Sequence, residues 1–428
     1  MKRKQWKIRT ATMASIGMLT VPLHPVCVQA AEVTSQDLNQ KQEGILTWKN
    51  SGETKLLSGE LLDGAGTSQS DWYAFDVSRM GLDQKQDAYL SRLQDAVTRI
   101  YEDLDNSLQT MKVTDWSRIA LTAAACGGDP TAFGTDADGN SVNLIEDGTW
   151  NCIFEYPGKQ GLNGYIWSLL ALDSKNYEVS EDAAWTREEL VDTILDSQKE
   201  DGGFGLKKEE ESDVDMTAMA LTALAPYEEA AGKAAEEAFD YLSSVQQPDG
   251  TMTTGGERTS ESTGWTMVAL CSWNRSPFTD EAFVKNGNSL YDGYQLFFLE
   301  NGSVIHSLDG VEKEEDGNSM SGYQAVYALE ACIRQMEGRN RLFDLTDAKT
   351  ISQERVEEAG GGLPELKEET EKDKEEAMQD TQNRSVVLTV VIVGIVALIA
   401  VVFVVSIAKK RKNTKGQKLS EEEEEDEW

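Results

Sequence analysis

The sequence predicts an all-α protein whose body is an (α/α)6 toroid of six helical hairpins, followed by one C-terminal transmembrane helix. Three observations lead to this prediction: six apolar helical runs recur at a regular spacing, one-sided amphipathic helices lie between them, and proline is scarce, with 8 residues among 428. Proline interrupts helices, so its scarcity favours a helical chain. The hydrophobic fraction of 39% is enough for a large core, and the net charge of −35 argues against a nucleic-acid partner.

The first 30 residues have the three-part plan of a secretory signal peptide. Five basic side chains lie within the first nine residues, an apolar stretch follows, and residues 28–30 read Val-Gln-Ala. Small residues at these positions are typical of a cleavage site. We therefore expect residues 1–30 to be removed after Ala30.

The C-terminal part of the chain predicts a membrane anchor. Residues 386–408 carry no charge and, at about 1.5 Å per residue, are long enough to span a bilayer. Four basic residues follow directly, and positive flanks stay in the cytoplasm. We expect a single-pass protein of the cell membrane with its body outside, a charged linker at residues 351–385 and a cytoplasmic tail, basic and then acidic, at residues 409–428.

The body, residues 31–350, is organised as a repeat. Six apolar runs, each opened by polar residues, start at positions 71, 115, 163, 213, 262 and 321. Between them lie one-sided helices, such as the one in which Leu190 and Ile194 share a face opposite Glu188 and Asp192. A helix that is apolar all round must be covered on both sides, whereas a one-sided helix keeps one face in water. Six of each predict two concentric rings, the inner of which lines a central cavity.

Several of the predicted outer helices end in a recurring motif. Residues 198–204 read Gln-Lys-Glu-Asp-Gly-Gly-Phe, residues 246–250 read Gln-Gln-Pro-Asp-Gly, and residues 301–302 read Asn-Gly. Glycine ends a helix and permits a tight turn. The motif resembles the Gln–Asp–Gly–aromatic repeat of the prenyltransferase and squalene-cyclase superfamily. The resemblance implies an α/α toroid over roughly residues 35–345.

In a closed toroid the inner helices point the same way, so their N-termini gather round one mouth of the cavity. A polar and aromatic mouth above an apolar throat suits a ligand pocket. Aspartates at such positions also fit helix caps, and aromatic residues there also fit plain packing. The residues predicted to bind a ligand at this mouth are Asp71, Trp72, Asp115, Trp116, Tyr165, Trp265 and Tyr323.

The sharpest motif is Asp-Val-Asp-Met-Thr-Ala at residues 213–218. It resembles the Asp-x-Asp-Asp-Thr-Ala motif of class II terpenoid cyclases, in which the middle aspartate protonates an alkene. The resemblance makes Asp215 the general acid and Asp213 its neighbour, although Met216 replaces the last aspartate. Ser212 and Asp215 also fit a capping box, and acids in a first turn favour the helix dipole. Capping, ligand contact and acid catalysis therefore all remain open.

Metal-ligand patterns are weak in the sequence. His306 is the one histidine after the predicted signal peptide, on a loop that follows an outer helix, which disfavours a zinc site. Asp136, Asp138 and Asn140 are spaced as in a calcium-binding loop, but serine stands at the sixth position, where such loops need glycine. The alternative is a plain Asp/Gly turn.

Two function classes follow from these observations. The first is a cell-surface, membrane-anchored toroid that binds an apolar or corrinoid-like small ligand, or presents it to a partner. This architecture is similar to the intrinsic factor and transcobalamin toroids, which hold a corrinoid with the help of a small β domain, so a separate β-domain protein or a transporter is an expected partner. The alternative is a terpenoid-cyclase or prenyltransferase-like enzyme with Asp215 as general acid. Met216 and the predicted location favour binding, and a structural role in the envelope is a third option.

Overall fold

The computed structural model describes residues 33–52, 56–309 and 317–363. The chain divides into two compact units, Met1–Gly362 and Leu363–Trp428, and the helices described below belong to the first. Three predicted segments lie outside the described residues: the signal peptide (1–30), the transmembrane helix (386–408) and the tail (409–428). In the described ranges, no helix combines the length and the hydropathy needed to cross a bilayer.

The described residues are mostly helical. Their α-helices are α1 (Ser35–Lys49), α2 (Glu60–Asp63), α3 (Ser68–Arg79), α4 (Gln86–Glu102), α5 (Leu104–Thr110), α6 (Val113–Cys126), α7 (Leu144–Gly148), α8 (Leu162–Asp173), α9 (Arg187–Leu195), α10 (Val214–Leu224), α11 (Glu228–Val245), α12 (Ser260–Ser272), α13 (Leu290–Tyr294), α14 (Ser319–Met336) and α15 (Gln353–Gly360). Single 3₁₀ turns lie at Pro157–Gln160, Ala225–Tyr227, Glu281–Phe283 and Gln295–Phe297. Strands β1 (Thr253–Thr254) and β2 (Glu257–Arg258) form a short antiparallel hairpin.

Six helices form a closed inner ring. In order around the ring they are α3, α6, α8, α10, α12 and α14, and α14 packs back onto α3. Each of the six apolar runs of the sequence falls on one of these helices, so the predicted inner ring is confirmed. These helices are buried along most of their length because the outer layer covers one side and the ring interior covers the other.

The outer layer is less regular than predicted. Helices α1, α4, α9 and α11 pack on α14, α6, α8 and α10, as outer partners should. The two remaining outer positions hold only α7 and α13, which have 5 residues each. The segments before them contain glycine, proline and asparagine turns in place of an apolar stripe, so a longer helix has no face to bury there. The expectation of six full hairpins is therefore correct for the inner ring and wrong for two outer helices.

The centre of the ring is filled by aromatic side chains. The ring centroids of Trp72 and Trp167 are 5.3 Å apart, those of Trp167 and Trp265 5.8 Å, those of Trp265 and Tyr327 5.4 Å, and those of Tyr327 and Trp72 6.0 Å. Phe343 packs against Trp167 at 5.7 Å and Trp265 at 6.2 Å. We call these five residues the aromatic core. The predicted central cavity is thus filled at this level of the ring, because large side chains from four helices and from the following segment meet there.

Phe343 belongs to a segment that crosses the C-terminal ends of the inner helices, residues 339–351, which we call the strap. The last carbonyl groups of a helix have no partner within it and favour donors and positive charge. The strap donates to such carbonyls at the ends of four inner helices: Arg341 Nε to Ser272 (2.8 Å), Arg341 Nη2 to Ala225 (3.4 Å), Leu345 N to Ser174 (2.7 Å) and Ile351 N to Gly127 (2.8 Å).

The strap is also bound to the other two inner helices through a shared carboxylate. Asp347 accepts from Arg79 Nη1 of α3 at 2.7 Å and from Arg334 of α14. Arg334 Nε in addition donates to the Asn340 carbonyl at 2.8 Å. All six inner helices therefore contact the same strap, which closes this end of the ring.

After the strap, α15 packs against α4. Val356 is buried there, and Arg355 Nε lies 2.8 Å from a carboxylate oxygen of Asp87. The compact unit thus continues past residue 350, where we predicted the toroid to end and the linker 351–385 to begin. A buried valine, an ion pair and a hydrogen bond from Gln94 Nε2 to Gln353 Oε1 at 2.9 Å attach this single short helix, which sequence periodicity could not assign.

Substitution of Phe343 tests whether the strap completes the core. We expect Phe343→Ala to lower the free energy of unfolding by about 3–5 kcal/mol, because it removes a buried ring between two tryptophans and leaves a cavity. Equilibrium unfolding in urea measures the change. Leu296→Ala, at a side chain that is 49% exposed, is the control and should change stability little. A loss no larger than that of the control would contradict the central position of Phe343.

Candidate functional site

The start of α10 separates the two aspartates of the sequence motif. Asp213 is the N-cap, because its Oδ1 accepts from the backbone N–H of Met216 at 2.9 Å. Ser212 instead donates its hydroxyl to Asp201 Oδ1 at 2.7 Å, so the predicted capping box of Ser212 and Asp215 does not form. Asp215 therefore takes no part in capping α10.

Asp215 is a half-buried acid in which one carboxylate oxygen lacks a hydrogen-bond partner among the described residues. Its Oδ1 is buried and has no hydrogen-bond partner within the described part of the chain. Burial, reinforced by the charges of Asp213 and Glu261, raises the pKa of Asp215 to about 7, against the lowering effects of a Ser262 hydrogen bond and of His306. A carboxyl group that titrates near neutral pH can exchange a proton under ordinary conditions.

Glu261, in the first turn of α12, gathers partners from two other elements. Its Oε1 accepts from Ser321 Oγ of α14 at 2.6 Å, and its Oε2 lies 2.8 Å from His306 Nδ1. The backbone N–H of Ser260 donates to the His306 carbonyl at 2.9 Å, which ties the histidine loop to the start of α12. We call Asp215, Glu261, Ser262, His306 and Ser321 the mouth cluster.

Sequence reasoning missed most of this cluster. It placed His306 on a loop that follows an outer helix and did not consider Glu261. One signal in the sequence could have indicated the cluster, namely the acid Glu261 at the start of an inner helix. Glu261 is buried there, and a buried carboxylate without a partner is unfavourable, so a partner was to be expected. Its partner His306 lies 45 residues away along the chain, and no local spacing connects the two.

Three of the seven predicted ligand-binding residues lie together. Trp72 and Trp265 belong to the aromatic core, and Tyr323 stacks on Trp72 with 6.5 Å between ring centroids. All three are almost fully buried. These rings lie on α3, α12 and α14, in the first two turns of each helix, on the same side of the ring as the mouth cluster.

Asp71 and Asp115 lie instead around one buried arginine. Asp71 is fully buried and accepts from Arg118 Nε at 2.9 Å, Tyr89 Oη at 2.7 Å and the Gly66 N–H at 2.9 Å. Asp115 pairs with the same guanidinium and caps α6. These contacts join α3, α4 and α6. They give both carboxylates a structural role as partners of Arg118.

Trp116 and Tyr165 pack towards the outer layer. Trp116 is buried, meets Phe154 edge-on at 4.8 Å and donates its indole N–H to Tyr101 Oη at 2.9 Å. Tyr165 packs on Trp185 at 5.3 Å. The seven residues therefore do not form the single ring that the sequence predicted, because the position of a residue in a first turn does not determine the direction of its side chain.

The predicted calcium loop is a tight turn. The Asp136 carboxylate accepts from the Asp138 N–H at 3.0 Å, the Asn140 N–H at 2.7 Å and the Asn140 side-chain amide at 3.0 Å. The segment is closed by a bridge between Thr135 and Ser141. Over the described ranges, no group of three or more His, Cys, Asp or Glu side chains is placed to hold a metal ion.

Comparison with known proteins supports the class of fold. Residues 158–280, which span α8 to α12 and include Asp213, Asp215 and Glu261, match the prenyltransferase alpha-alpha toroid domain. This stretch therefore supports the superfamily that the repeat motif indicated. Among solved structures, Candida albicans protein geranylgeranyltransferase-I complexed with GGPP is similar, with a TM-score of 0.46 and 12% identity over 76% of this chain and 98% of that one. No curated protein matches.

Substitution of Asp71 distinguishes a structural from a ligand-binding carboxylate. We expect Asp71→Ala to lower the free energy of unfolding by about 3–5 kcal/mol, because it leaves the buried Arg118 without its main partner. Asp115→Ala, at a partly exposed cap, should lower it by only about 1 kcal/mol. Urea unfolding of both variants measures the difference. Wild-type stability in Asp71→Ala would contradict the structural role.

Proposed function

We propose that the mouth cluster is a proton-transfer site in which Asp215 acts as general acid on an apolar, unsaturated substrate of the isoprenoid class. The observation that supports this most directly is that Asp213 caps α10 and leaves Asp215 Oδ1 buried without a partner among the described residues. With a pKa of about 7, Asp215 holds its proton in a useful fraction of molecules near neutral pH.

The aromatic rings beside the cluster suit the charge that such a reaction creates. Protonation of an alkene leaves a carbocation, and the faces of tryptophan and tyrosine rings attract positive charge. Trp265 lies four residues after Glu261 on α12, hence on the same face of that helix. Because the aromatic core fills the ring below, we place the reacting double bond at the mouth, between Asp215 and these rings.

His306 and Glu261 supply a route by which Asp215 regains a proton after it has donated its own to the substrate. The His306 side chain is 42% exposed and so is in contact with water, and its charge acts on Asp215. Glu261 fixes the ring through Nδ1, and Ser321 fixes Glu261 in turn. In the overall reaction the cation loses a proton to a base or adds water, so that the product is an isomer or an alcohol.

Substitution of Asp215 is the direct test of the enzyme proposal. We expect wild type to convert at least one member of a panel of prenyl substrates, and Asp215→Asn to be slower by at least about 100-fold. Since the acid must be protonated, the rate should be full below pH 7 and fall as the pH rises through about 7. Product analysis by gas chromatography and mass spectrometry measures both.

Asp213→Asn is the matched control for that experiment. It keeps the general acid but removes the negative charge that raises the pKa of Asp215, so its pH profile should shift to lower pH while turnover persists. An absence of turnover by wild type across the panel, or an unchanged rate in Asp215→Asn, would overturn the proposal.

Ligand binding at the cell surface is the second candidate function. It is favoured by Tyr165, which with Leu206 lines a groove of about 940 Å³ between the start of α8 and the end of α9. An apolar or corrinoid-like ligand could lie there and pass to a separate β-domain protein or a transporter. This proposal also needs the signal peptide and the transmembrane helix, which lie outside the described residues.

Retention of a ligand on purification tests the binding proposal. We expect native mass spectrometry or absorbance of the purified full-length chain to show a bound small molecule, or added cyanocobalamin to bind. Tyr165→Ala should weaken binding at least tenfold, whereas Tyr156→Ala, an exposed tyrosine outside the lining of the groove, should leave it unchanged. A chain that purifies without ligand and that no corrinoid or lipid shifts would contradict the proposal.

A further inference from the structure

Two of the four described cysteines lie in direct contact. Cys271, in the last turn of α12, and Cys332, in α14, face each other with their sulfur atoms 3.6 Å apart. Both side chains are buried, and both are free thiols in this structure. The two residues are 61 positions apart in the chain, so the contact is made by the packing of two neighbouring inner helices and not by a local sequence pattern.

The other two described cysteines have different surroundings. Cys126 Sγ contacts Ser78 Oγ at 3.3 Å and the Ala74 carbonyl oxygen at 3.7 Å, and burial raises the pKa of its thiol to about 12. Burial likewise raises the pKa of Cys152 to about 11. Buried thiols of this kind behave as small apolar side chains. The contact between two sulfur atoms therefore distinguishes Cys271 and Cys332 from the other described cysteines.

The surroundings of the pair leave room for a covalent bond. The sulfur atoms of a disulfide are about 2.0 Å apart, so these two sulfurs would have to approach by about 1.6 Å. Rotation of the side chains about their Cα–Cβ bonds can supply such a movement. Cys271 borders a small cavity of about 20 Å³, beside Ala331 and Leu342, which leaves its side chain space to rotate.

The burial of the pair indicates when such a bond can form. Burial, reinforced by the contact with Cys271, raises the pKa of Cys332, so its thiol stays protonated in the folded chain. Since the thiolate is the species that attacks a disulfide, exchange inside the closed core is slow. Before the core closes, the thiols are in contact with water and can ionise. The bond therefore has to form while the chain folds.

We propose that Cys271 and Cys332 form a disulfide bond when the chain folds in contact with a low-molecular-weight disulfide such as glutathione disulfide. The Cys271 thiolate attacks one sulfur of this donor, which forms a mixed disulfide and releases one donor thiolate. The Cys332 thiolate then attacks the Cys271 sulfur and releases the second donor thiolate. Two protein thiols are oxidised, one donor disulfide is reduced to two thiols, and the two protons that the cysteines lose pass to the donor thiolates.

The bond would join α12 and α14 at the end of the ring opposite the mouth cluster. At the mouth, Ser321 Oγ of α14 donates to Glu261 Oε1 of α12 at 2.6 Å. Cys271 lies 10 residues after Glu261, and Cys332 lies 11 residues after Ser321, so the two connections are about 15 Å apart along the helices. The two helices would thus be fixed at two levels. The closed loop also restricts the unfolded chain, which stabilises the folded state.

Cell-free synthesis of the full-length chain in a glutathione redox buffer and, in parallel, in a buffer with a phosphine reductant tests this proposal. Both products are denatured and alkylated, and mass spectrometry counts the alkylated cysteines and maps crosslinked peptides. We expect the oxidised product to carry two fewer alkyl groups than the reduced one, with a crosslink between Cys271 and Cys332. The Tm of the oxidised product should be higher by at least about 3 °C, because the bond restricts the unfolded chain.

Cys126→Ala is the matched control, because it removes another buried thiol of the inner ring and leaves the pair intact. Its oxidised and reduced products should differ in Tm as those of wild type do. Cys271→Ala should abolish both the crosslink and the difference in Tm, and this comparison within one variant does not depend on stability lost through the substitution itself. Equal alkylation of the two wild-type products, a crosslink through Cys126 or Cys152, or equal Tm values would overturn the proposal.

Discussion

The parallel arrangement of the six inner helices is the constraint from which the rest of the structure follows. It places the unpaired N–H groups of all six helices at one end of the ring and their unpaired carbonyl groups at the other. One end therefore needs acceptors and negative charge, and the other needs donors and positive charge. Asp213 and Asn318 cap helices at the first end, while Arg341 and the backbone of the strap meet the carbonyls at the second.

This polarity also determines where chemistry is available. At the acidic end, some carboxylates cap helices, and Asp71 pairs with Arg118. Asp215 and Glu261 serve neither purpose and lie next to His306. At the basic end, the guanidinium groups of Arg79, Arg334 and Arg341 donate to carbonyl groups, and the first two also pair with Asp347. The proton-transfer site that we propose is thus what remains at the acidic end after the helix termini have been satisfied.

The sequence predicted those parts of the fold that a local pattern specifies. Inner helices could be located because they are apolar all round, and α4, α9 and α11 because each has a continuous stripe. Phe343 could not be placed, because the strap has no periodicity and its position depends on six helix ends that are distant in the chain. At the site, neighbouring Ser212, Asp213 and Asp215 all offer acceptors, so the choice of cap depended on the backbone geometry at Asp213.

Met216 is the residue at which this sequence departs from the cyclase motif, which has an aspartate at that position. In the sequence it removes a carboxylate beside Asp215 and counts against acid chemistry. In the structure its backbone N–H is what the cap requires, and its side chain is buried, so the position serves the start of α10. The second carboxylate near Asp215 comes instead from Glu261 on the next inner helix, and its charge acts on the pKa of Asp215. The departure therefore carries less weight against a proton-transfer site than the sequence alone suggests, since a neighbouring helix can supply what the motif lacks.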